Sequence, residues 1–156
     1  MALYEGNFIK LMALAPVLQS GYLNRQVSVN SQVLENSLAL SARVEGVRGE
    51  TSLSRTAGDL DLHLTVHGVT RYTVDLRLTY IFEDSDRASA DPDLHVRLYL
   101  DARMVEVLSW SVIHVHEVLR RLAAASSREL DRRWSQNIML SKWLDYLTDR
   151  GHGFPA

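Results

Sequence analysis

The sequence predicts an α+β domain: an N-terminal helix, an antiparallel sheet of about five strands built from hairpins, and C-terminal helices packed on one face of that sheet. Apolar residues recur at helical spacing near both ends of the chain, whereas through the middle they alternate with polar residues. Short stretches rich in turn-forming residues separate the alternating segments. Because 156 residues is a typical length for one domain, we assign residues 1–156 to a single domain.

The first predicted element is a helix over residues 3–15. Its apolar side chains have the spacing of one helical face: Phe8, Leu11, Met12 and Ala15. Pro16 follows, and the residue before a proline is displaced from helical geometry, so we expect the helix to end there.

The segment that follows the helix carries weaker signals. Residues 19–37 are polar and poorly patterned, which favours a loop with one short strand at 26–29. Alternation from residue 38 to residue 44 predicts a further strand. Residues 46–58 are polar and contain three glycines, so we expect an exposed loop there.

Two hairpins account for the centre of the predicted sheet. In the first, a three-residue loop at 68–70 sets Leu64 opposite Val74 and leaves one face of the hairpin wholly apolar. The same register sets His63 opposite Asp75 on the polar face.

The second hairpin turns through a two-residue loop at 101–102, because this loop length sets Leu98 opposite Val105. Arg97 then faces Glu106, and we expect these two side chains to form a cross-strand pair that orders the turn. The aspartate at the first loop position tolerates the positive φ that such a turn requires.

Beyond the strands the apolar period returns to that of a helix. One stripe marks the first C-terminal helix: Val115, Val118, Leu119 and Leu122. Capping-box spacing over residues 126–129 predicts that a second helix begins there, and Gly151 is placed to end it. The spacing of Trp134 and Trp143 predicts core positions, whereas Trp110 has the parity of the polar face and is a candidate partner contact.

Composition limits the classes of function. The chain has 17 basic and 19 acidic side chains and a formal net charge of −2, whereas a nucleic-acid-binding domain usually has a basic excess. It has no cysteine, which excludes thiolate metal sites, and no apolar run approaches the roughly 20 residues that cross a bilayer. The first ten residues lack the basic region of a signal peptide. We therefore expect a cytoplasmic protein with no nucleic-acid or membrane partner.

Motifs for catalysis and metal binding are weak. The sequence contains neither a phosphate-binding loop nor a GxSxG stretch. Three histidines from predicted strands could converge on a metal ion, but their spacing matches no recognised ligand set; the candidates are His63, His67, His95, His114 and His116. We therefore predict no metal and no cofactor, and we interpret these histidines as solvated or hydrogen-bonded surface groups.

Four sequence patches occur in the order typical of one bacterial family. The patches are Glu5-Gly6-Asn7-Phe8, then Thr70-Arg71-Tyr72-Thr73, then Val96-Arg97-Leu98-Tyr99 with Asp101-Ala102 and Val105-Glu106-Val107, and finally Asn137, Leu140, Trp143-Leu144, Tyr146 and Gly151. With these patches the chain resembles the YqiB-like family of small bacterial proteins of unknown function. It departs from the family at Leu100, where a histidine is typical, and over residues 122–126, where a Tyr-Pro-Asn stretch is typical. The resemblance is thus to a divergent member.

The resemblance implies a cytoplasmic protein with no established activity and no cofactor. It implies these candidate ligand- or partner-binding residues: Glu5, Asn7, Arg71, Arg97, Tyr99, Asp101, Glu106, Asp131, Arg133 and Asn137. We interpret the chain as a non-catalytic binding or regulatory domain whose partner is an unknown protein, a small anionic ligand or a second copy of the chain. The alternative is a binding protein or enzyme for a nucleotide or another anion, with Arg71 and Arg97 as the anion-binding groups. A pocket that gathers both arginines would favour this alternative.

Overall fold

The structure is a computed structural model that describes residues 2–18, 51–84, 87–110, 116–126 and 132–156. The strands expected at 26–29 and at 38–44 lie outside these residues. The described elements are, in chain order, α1 (Ala2–Leu14), β1 (Thr51–Ser54), β2 (Leu62–Val69), β3 (Thr73–Asp84), β4 (Arg87–Tyr99), β5 (Met104–Ser109), α2 (Glu117–Ser126) and α3 (Arg132–Asp149).

The five strands form one antiparallel sheet in which each strand pairs with its neighbours in the chain. Helices α1 and α3 pack against each other, and both contact β5. The core forms between the helices and the apolar face of the sheet, where these side chains are at most 2% exposed: Leu11, Leu64, Leu78, Leu98, Leu140 and Trp143. The predicted α+β class, with its N-terminal helix, hairpin sheet and C-terminal helices, is confirmed.

The β4–β5 hairpin has the predicted register, with Leu98 opposite Val105. The turn differs in two respects: the predicted two-residue loop at 101–102 is wrong, and the residue with positive φ is Arg103, at 53°, rather than Asp101. Strand pairing ends one position early, so four residues form the connection, and hairpin loops longer than two residues commonly end in a left-handed residue.

The β2–β3 hairpin has a register different from the predicted one. Leu64 lies opposite Leu78 rather than Val74, and His63 lies opposite Thr79. A shift by four positions keeps every apolar side chain on the same face, so the alternation fits both registers equally well.

The connection between β2 and β3 explains this shift. The strands close with Val69 opposite Val74, and His67 is the extra residue of a bulge in β2. The amide of Thr70 donates to the carbonyl of Thr73 at 2.8 Å, and their hydroxyl oxygens are also 2.8 Å apart. The turn therefore forms after residue 69, and the predicted loop at 68–70 is wrong.

Strand β1 lies in the segment 46–58, which the sequence predicts to be a loop. It pairs with β2 so that Thr51 lies opposite Thr65 and Ser54 lies opposite Leu62. The hydroxyl oxygens of Thr51 and Thr65 are 2.9 Å apart across the pair. The segment is short and polar and has no apolar face of its own, so backbone and hydroxyl pairing with β2 accounts for its strand conformation.

Two of the three tryptophans occupy positions opposite to those predicted. Trp110 is 9% exposed and packs edge-on against Trp143 with ring centroids 5.9 Å apart, whereas Trp134 is 39% exposed. Leu108 is skipped in the pairing of β4 with β5, so the alternation of β5 inverts after it and turns Trp110 into the core. The core position of Trp143 is confirmed.

The end of α3 is the predicted one. Gly151 has a φ of 83°. Its amide donates to the carbonyl of Thr148, and the amide of His152 donates to the carbonyl of Leu147, which is the hydrogen-bond pattern of a Schellman cap.

The boundary between the two C-terminal helices differs from the prediction. Ser126 is the last residue of α2, and α3 begins at Arg132 in the part of the chain that the structure describes. Three alanines precede Ser126 and favour continuation of α2 to that residue. Among the described residues, no helix is long and apolar enough to cross a membrane.

Candidate functional site

Three of the predicted site residues meet where β5 lies beside the start of α3. The hydroxyl of Tyr99 donates to Oε2 of Glu106 at 3.0 Å, and a guanidinium nitrogen of Arg133 lies 3.7 Å from Oε1 of the same carboxylate. Partial burial, followed by the hydrogen bond to Glu106, raises the pKa of Tyr99, so this phenol stays a neutral donor. The Glu106 side chain is 25% exposed and that of Arg133 is 76% exposed. The cluster thus joins β4, β5 and α3 at the surface.

A groove of about 330 Å³ runs beside this cluster, and we refer to it as the β5 groove. Residues 106–110 form its strand side, and Arg132, Arg133 and Gln136 form its helix side. Strand β5 is the last strand of the described sheet and pairs with β4 alone. An edge strand directs every second pair of backbone groups away from the sheet, so β5 offers hydrogen-bond donors and acceptors on its outer side.

Arg97 binds Asp75 instead of forming the predicted pair with Glu106. Its Nε lies 2.7 Å from Oδ1 of Asp75 and a terminal nitrogen lies 2.8 Å from Oδ2, a two-point arrangement that fits the planar guanidinium. Arg97 opposes both carboxylates, one on each neighbouring strand, but Glu106 accepts the hydroxyl of Tyr99. The hydrogen bonds from Arg97 lower the pKa of Asp75 and keep it ionised.

Asn7 and Asn137 are fully buried between α1 and α3. The side-chain amide of Asn7 donates to the carbonyl of Asn137 at 2.9 Å, and that of Asn137 donates to the carbonyl of Arg133 at 2.9 Å. Their side-chain oxygens have no hydrogen-bond partner among the described residues. These two candidates therefore fix the start of α3 against α1 and lie behind the β5 groove rather than in it.

The other predicted residues lie apart from this cluster. Glu5, Arg71 and Asp101 are exposed, on α1 and on the two hairpin loops respectively, and Asp131 lies outside the described residues. The guanidinium of Arg71 lies over the ring of Tyr72, 5.2 Å from its centroid. Arg71 and Arg97 thus have separate partners, and neither lines either of the two clefts described here.

A buried polar cluster at the opposite side of the fold was missed by the sequence analysis. Oδ2 of Asp59 accepts the hydroxyl of Tyr80 at 3.1 Å and lies 3.2 Å from Nε2 of His152. Oδ1 of Asp59 lies 3.7 Å from Nε2 of His116, and Oγ of Ser54 lies 3.1 Å from Nδ1 of His152. Ser54 and His152 are 98 residues apart in the chain, so no local spacing could have indicated the cluster.

Hydrogen bonds keep the carboxylate of Asp59, at the centre of this cluster, in its ionised form. Burial by itself would raise the pKa of Asp59, but hydrogen bonds from the amide of Leu60, the hydroxyl of Tyr80 and the ring of His152 outweigh it and lower the pKa. Burial and the neighbouring Asp59 carboxylate raise the pKa of Tyr80, which therefore stays protonated and donates. The side chains of Asp59 and His152 are 3% and 0% exposed.

A second cleft, of about 350 Å³, opens beside Ser54, and we refer to it as the tail cleft. The end of α1, strand β1 and the C-terminal tail line it, with Leu14, Leu53, Arg55 and Phe154 among the lining side chains. The tail is held there because the amide of Gly153 donates to Oγ of Ser54 at 3.0 Å and that of Phe154 donates to the carbonyl of Leu14 at 2.8 Å.

The histidines of the strands form stacked and paired surface contacts. The ring of His67 stacks on that of His95, with centroids 5.5 Å apart, and Nε2 of His95 lies 3.3 Å from a carboxylate oxygen of Asp93. Within the described ranges, no group of three or more potential metal-ligating side chains occurs.

A family model described as "Protein of unknown function (DUF1249)" matches residues 10–153, which is most of the chain. The chain belongs to the DUF1249 family. The matched range of this DUF1249 protein includes the β5 groove and the Asp59 cluster, whereas Glu5 and Asn7 precede it. No curated protein and no solved structure matches the chain.

Proposed function

We propose that this DUF1249 protein docks an extended acidic segment of a partner protein in the β5 groove, and that this groove is a non-catalytic binding site. The observation that carries the proposal is the composition of the two sides of that groove. One side is the outer edge of a strand, which can pair with an added strand through its backbone. The other side presents Arg132 and Arg133, whose guanidinium groups favour carboxylate ligands.

The dimensions of the groove suit a peptide in the β conformation. Its strand side is formed by consecutive residues 106–110, a length of about 16 Å at the usual rise of a strand. Leu108 is 45% exposed on this side and provides an apolar contact beside the backbone groups. The bulge at Leu108 changes the direction of the side chains, which restricts the register that an added strand can adopt.

The charges at the start of α3 favour an acidic ligand. The groove contains two arginines and one acidic side chain, Glu106. The described part of α3 begins with Arg132 and Arg133. A carboxylate of a bound segment would complement these two arginines.

The alternative of an anion site at Arg71 and Arg97 has less support. Asp75 occupies the edge of the Arg97 guanidinium formed by Nε and one terminal nitrogen, so an anion that bound at this edge would have to displace a carboxylate with favourable geometry. Arg71 contacts Tyr72 on a hairpin loop.

We also propose that the protein is a divergent YqiB-like member of the family that works in the bacterial cytoplasm. The four ordered sequence patches support this assignment, and the third patch builds the β4–β5 hairpin beside the groove. Fractionation of cells that produce the protein from its own promoter tests the location, and recovery in the membrane fraction would contradict it.

Fluorescence anisotropy with labelled eight-residue peptides tests the binding function. One series alternates Glu with Val, and a second series has Lys in place of each Glu. We expect the acidic series to bind and the basic series not to bind. The Arg132→Glu, Arg133→Glu double variant should bind at least about tenfold more weakly, a loss of about 1.4 kcal/mol. Arg120→Glu, which reverses an exposed arginine on α2, is the matched control and should leave binding unchanged.

Two results would contradict the proposed function. The first is that no acidic peptide binds the folded wild-type protein at millimolar concentration. The second is that the two peptide series bind equally, because binding would then depend on the valines and not on the arginines of the groove.

A further inference from the structure

We propose that Ser54 is the nucleophile of an acyl-transfer site in the tail cleft, with His152 as its general base and Asp59 as the residue that positions His152. This site is separate from the β5 groove, and neither proposal depends on the other. The ligand it would take is an ester with a small apolar acyl group.

The hydrogen-bond chain has the sequence of groups that activates a serine. Oγ of Ser54 lies 3.1 Å from Nδ1 of His152, and Nε2 of His152 lies 3.2 Å from Oδ2 of Asp59. An ionised Asp59 retains the ring proton on Nε2, so the lone pair of Nδ1 faces the serine hydroxyl. The two ring nitrogens exchange places relative to the serine-protease triad, but the roles of base and orienting carboxylate are the same.

The surroundings of His152 and Asp59 strengthen the hydrogen bond between these two residues. His152 and Asp59 are almost completely shielded from water, which increases the electrostatic interaction between them. The hydroxyl of Tyr80 and the amide of Leu60 hold the Asp59 carboxylate in place, so the imidazole has one orientation. Stabilisation of a developing imidazolium by a fixed carboxylate is the function of the third residue in such sites.

Ser54 lies at a cleft, which distinguishes the Ser54–His152–Asp59 hydrogen bonds from a purely structural network inside the protein. Ser54 is buried as a residue, yet it lines the tail cleft, whose volume of about 350 Å³ lies at the lower end of the range for small-molecule sites. Leu14, Leu53 and Phe154 give the cleft apolar walls that suit a short acyl chain. Arg55 lines the same cleft and pairs with Asp61 at the surface, so its guanidinium is near enough to attract an anionic substituent of the substrate.

The reaction balances without any further reagent except water. Oγ of Ser54 attacks the carbonyl carbon of the ester and passes its proton to Nδ1 of His152, so an Oγ–C bond forms. The bond from that carbon to the alkoxy oxygen breaks, and His152 returns the proton to the departing alcohol. Water then attacks the acyl-enzyme, again with His152 as base, and releases the carboxylic acid and the free serine.

An alkyl fluorophosphonate is the probe, because it forms a stable bond only with an activated serine. Oγ of Ser54 bonds to phosphorus, fluoride leaves, and the serine proton passes to His152. We expect mass spectrometry of the wild-type protein to find close to one equivalent of label, located on the peptide that contains Ser54. His152→Gln should be labelled about 10²–10⁴-fold more slowly, the usual contribution of a general base. Ser52→Ala, on the same strand, is the matched control and should be labelled at the wild-type rate.

The wild-type protein alone can overturn the proposal, so the result does not depend on whether a variant folds. Absence of label, or label spread over several serines, would show that Ser54 is not activated. The same holds if Ser54→Ala, shown to be folded by circular dichroism, is labelled as fast as the wild type. A purely structural role predicts that Ser54→Ala melts at a lower temperature while the wild type remains unlabelled.

Discussion

Arg97 holds Asp75 across the β3–β4 pair with hydrogen bonds of 2.7 and 2.8 Å, although Glu106 opposes it on β5. Glu106 instead accepts the hydroxyl of Tyr99 and lies beside Arg133. The two carboxylates next to Arg97 therefore have different roles. Asp75 pairs strands within the sheet, whereas Glu106 orients the residues that border the β5 groove.

A double-mutant cycle tests this division of partners. We expect Arg97→Ala and Asp75→Ala each to lower the melting temperature by roughly 2–4 °C, because the pair is partly exposed and solvent screens it. The two effects should be non-additive, since either substitution removes the same interaction. The cycle of Arg97→Ala with Glu106→Ala is the control and should show weaker coupling, because Glu106 accepts the hydroxyl of Tyr99. Coupling that is stronger for Glu106 than for Asp75 would contradict the structure.

The Asp59 cluster makes stability depend on acid pH. The pKa of Asp59 in the folded chain lies below its ordinary value of 3.8, so folding favours the ionised carboxylate. Its contribution to stability is present above pH 3.8 and is lost as the pH falls through the folded pKa. We expect the urea midpoint of the wild type to fall more steeply below about pH 4 than that of Asp59→Asn. Asp61→Asn, at the exposed position two residues away, is the control and should keep the steep fall of the wild type. If the urea midpoint of Asp59→Asn fell as steeply as that of the wild type, Asp59 would not be the group responsible.

The C-terminal cap gives a prediction with a closely matched control. Gly151 has a φ of 83°, so Gly151→Ala should lower the free energy of unfolding by about 1–2 kcal/mol. Gly153 lies two residues later, and a Cβ there would be 3.7 Å from the carbonyl oxygen of Leu14, an ordinary contact. Gly153→Ala should therefore leave stability nearly unchanged in urea unfolding. Equal destabilisation by both substitutions would mean that the positive φ is not the cause.

Because Trp110 is buried and Trp134 is exposed, their replacement by alanine should lower the free energy of unfolding by very different amounts. Trp110→Ala should lower the free energy of unfolding by about 3–5 kcal/mol, because it removes a buried ring that packs on Trp143. Trp134→Ala should cost less than about 1 kcal/mol, since that side chain is 39% exposed. Denaturant titration of both variants measures the difference. A larger loss for Trp134→Ala would place Trp134 in the core and contradict the structure.

The two hairpins show how far local pattern determines register. In the β4–β5 hairpin, one register alone satisfies both the apolar pairs and the opposition of Arg97 to Glu106, and this predicted register is confirmed although the connection has four residues. In the β2–β3 hairpin, a shift by four leaves all apolar residues on one face, so the alternation could not select the register. The bulge at His67 and the hydrogen bonds between Thr70 and Thr73 decide it, and neither has a distinct sequence signal.

The candidate sites were predictable only in part, for a related reason. Tyr99 and Glu106 are close in sequence, and the hairpin that brings them together was predicted. Ser54 and Asp59 lie close together at β1 and in the connection that follows it, whereas His152 lies in the C-terminal tail, and only the packing of that tail on β1 brings the three within hydrogen-bond distance. Periodicity describes the faces of one element and contains no information on such contacts between distant segments.

Amide hydrogen exchange along β5 tests the binding function most directly. It is measured by NMR with and without a saturating concentration of the eight-residue peptide that alternates Glu with Val. The proposal predicts that outward-facing amides within Met104–Ser109 become at least about tenfold more protected, because an added strand supplies a carbonyl acceptor to each of them. Unchanged protection along β5, with peptide-induced shifts at Arg71 and Arg97 instead, would contradict the proposed docking in the β5 groove.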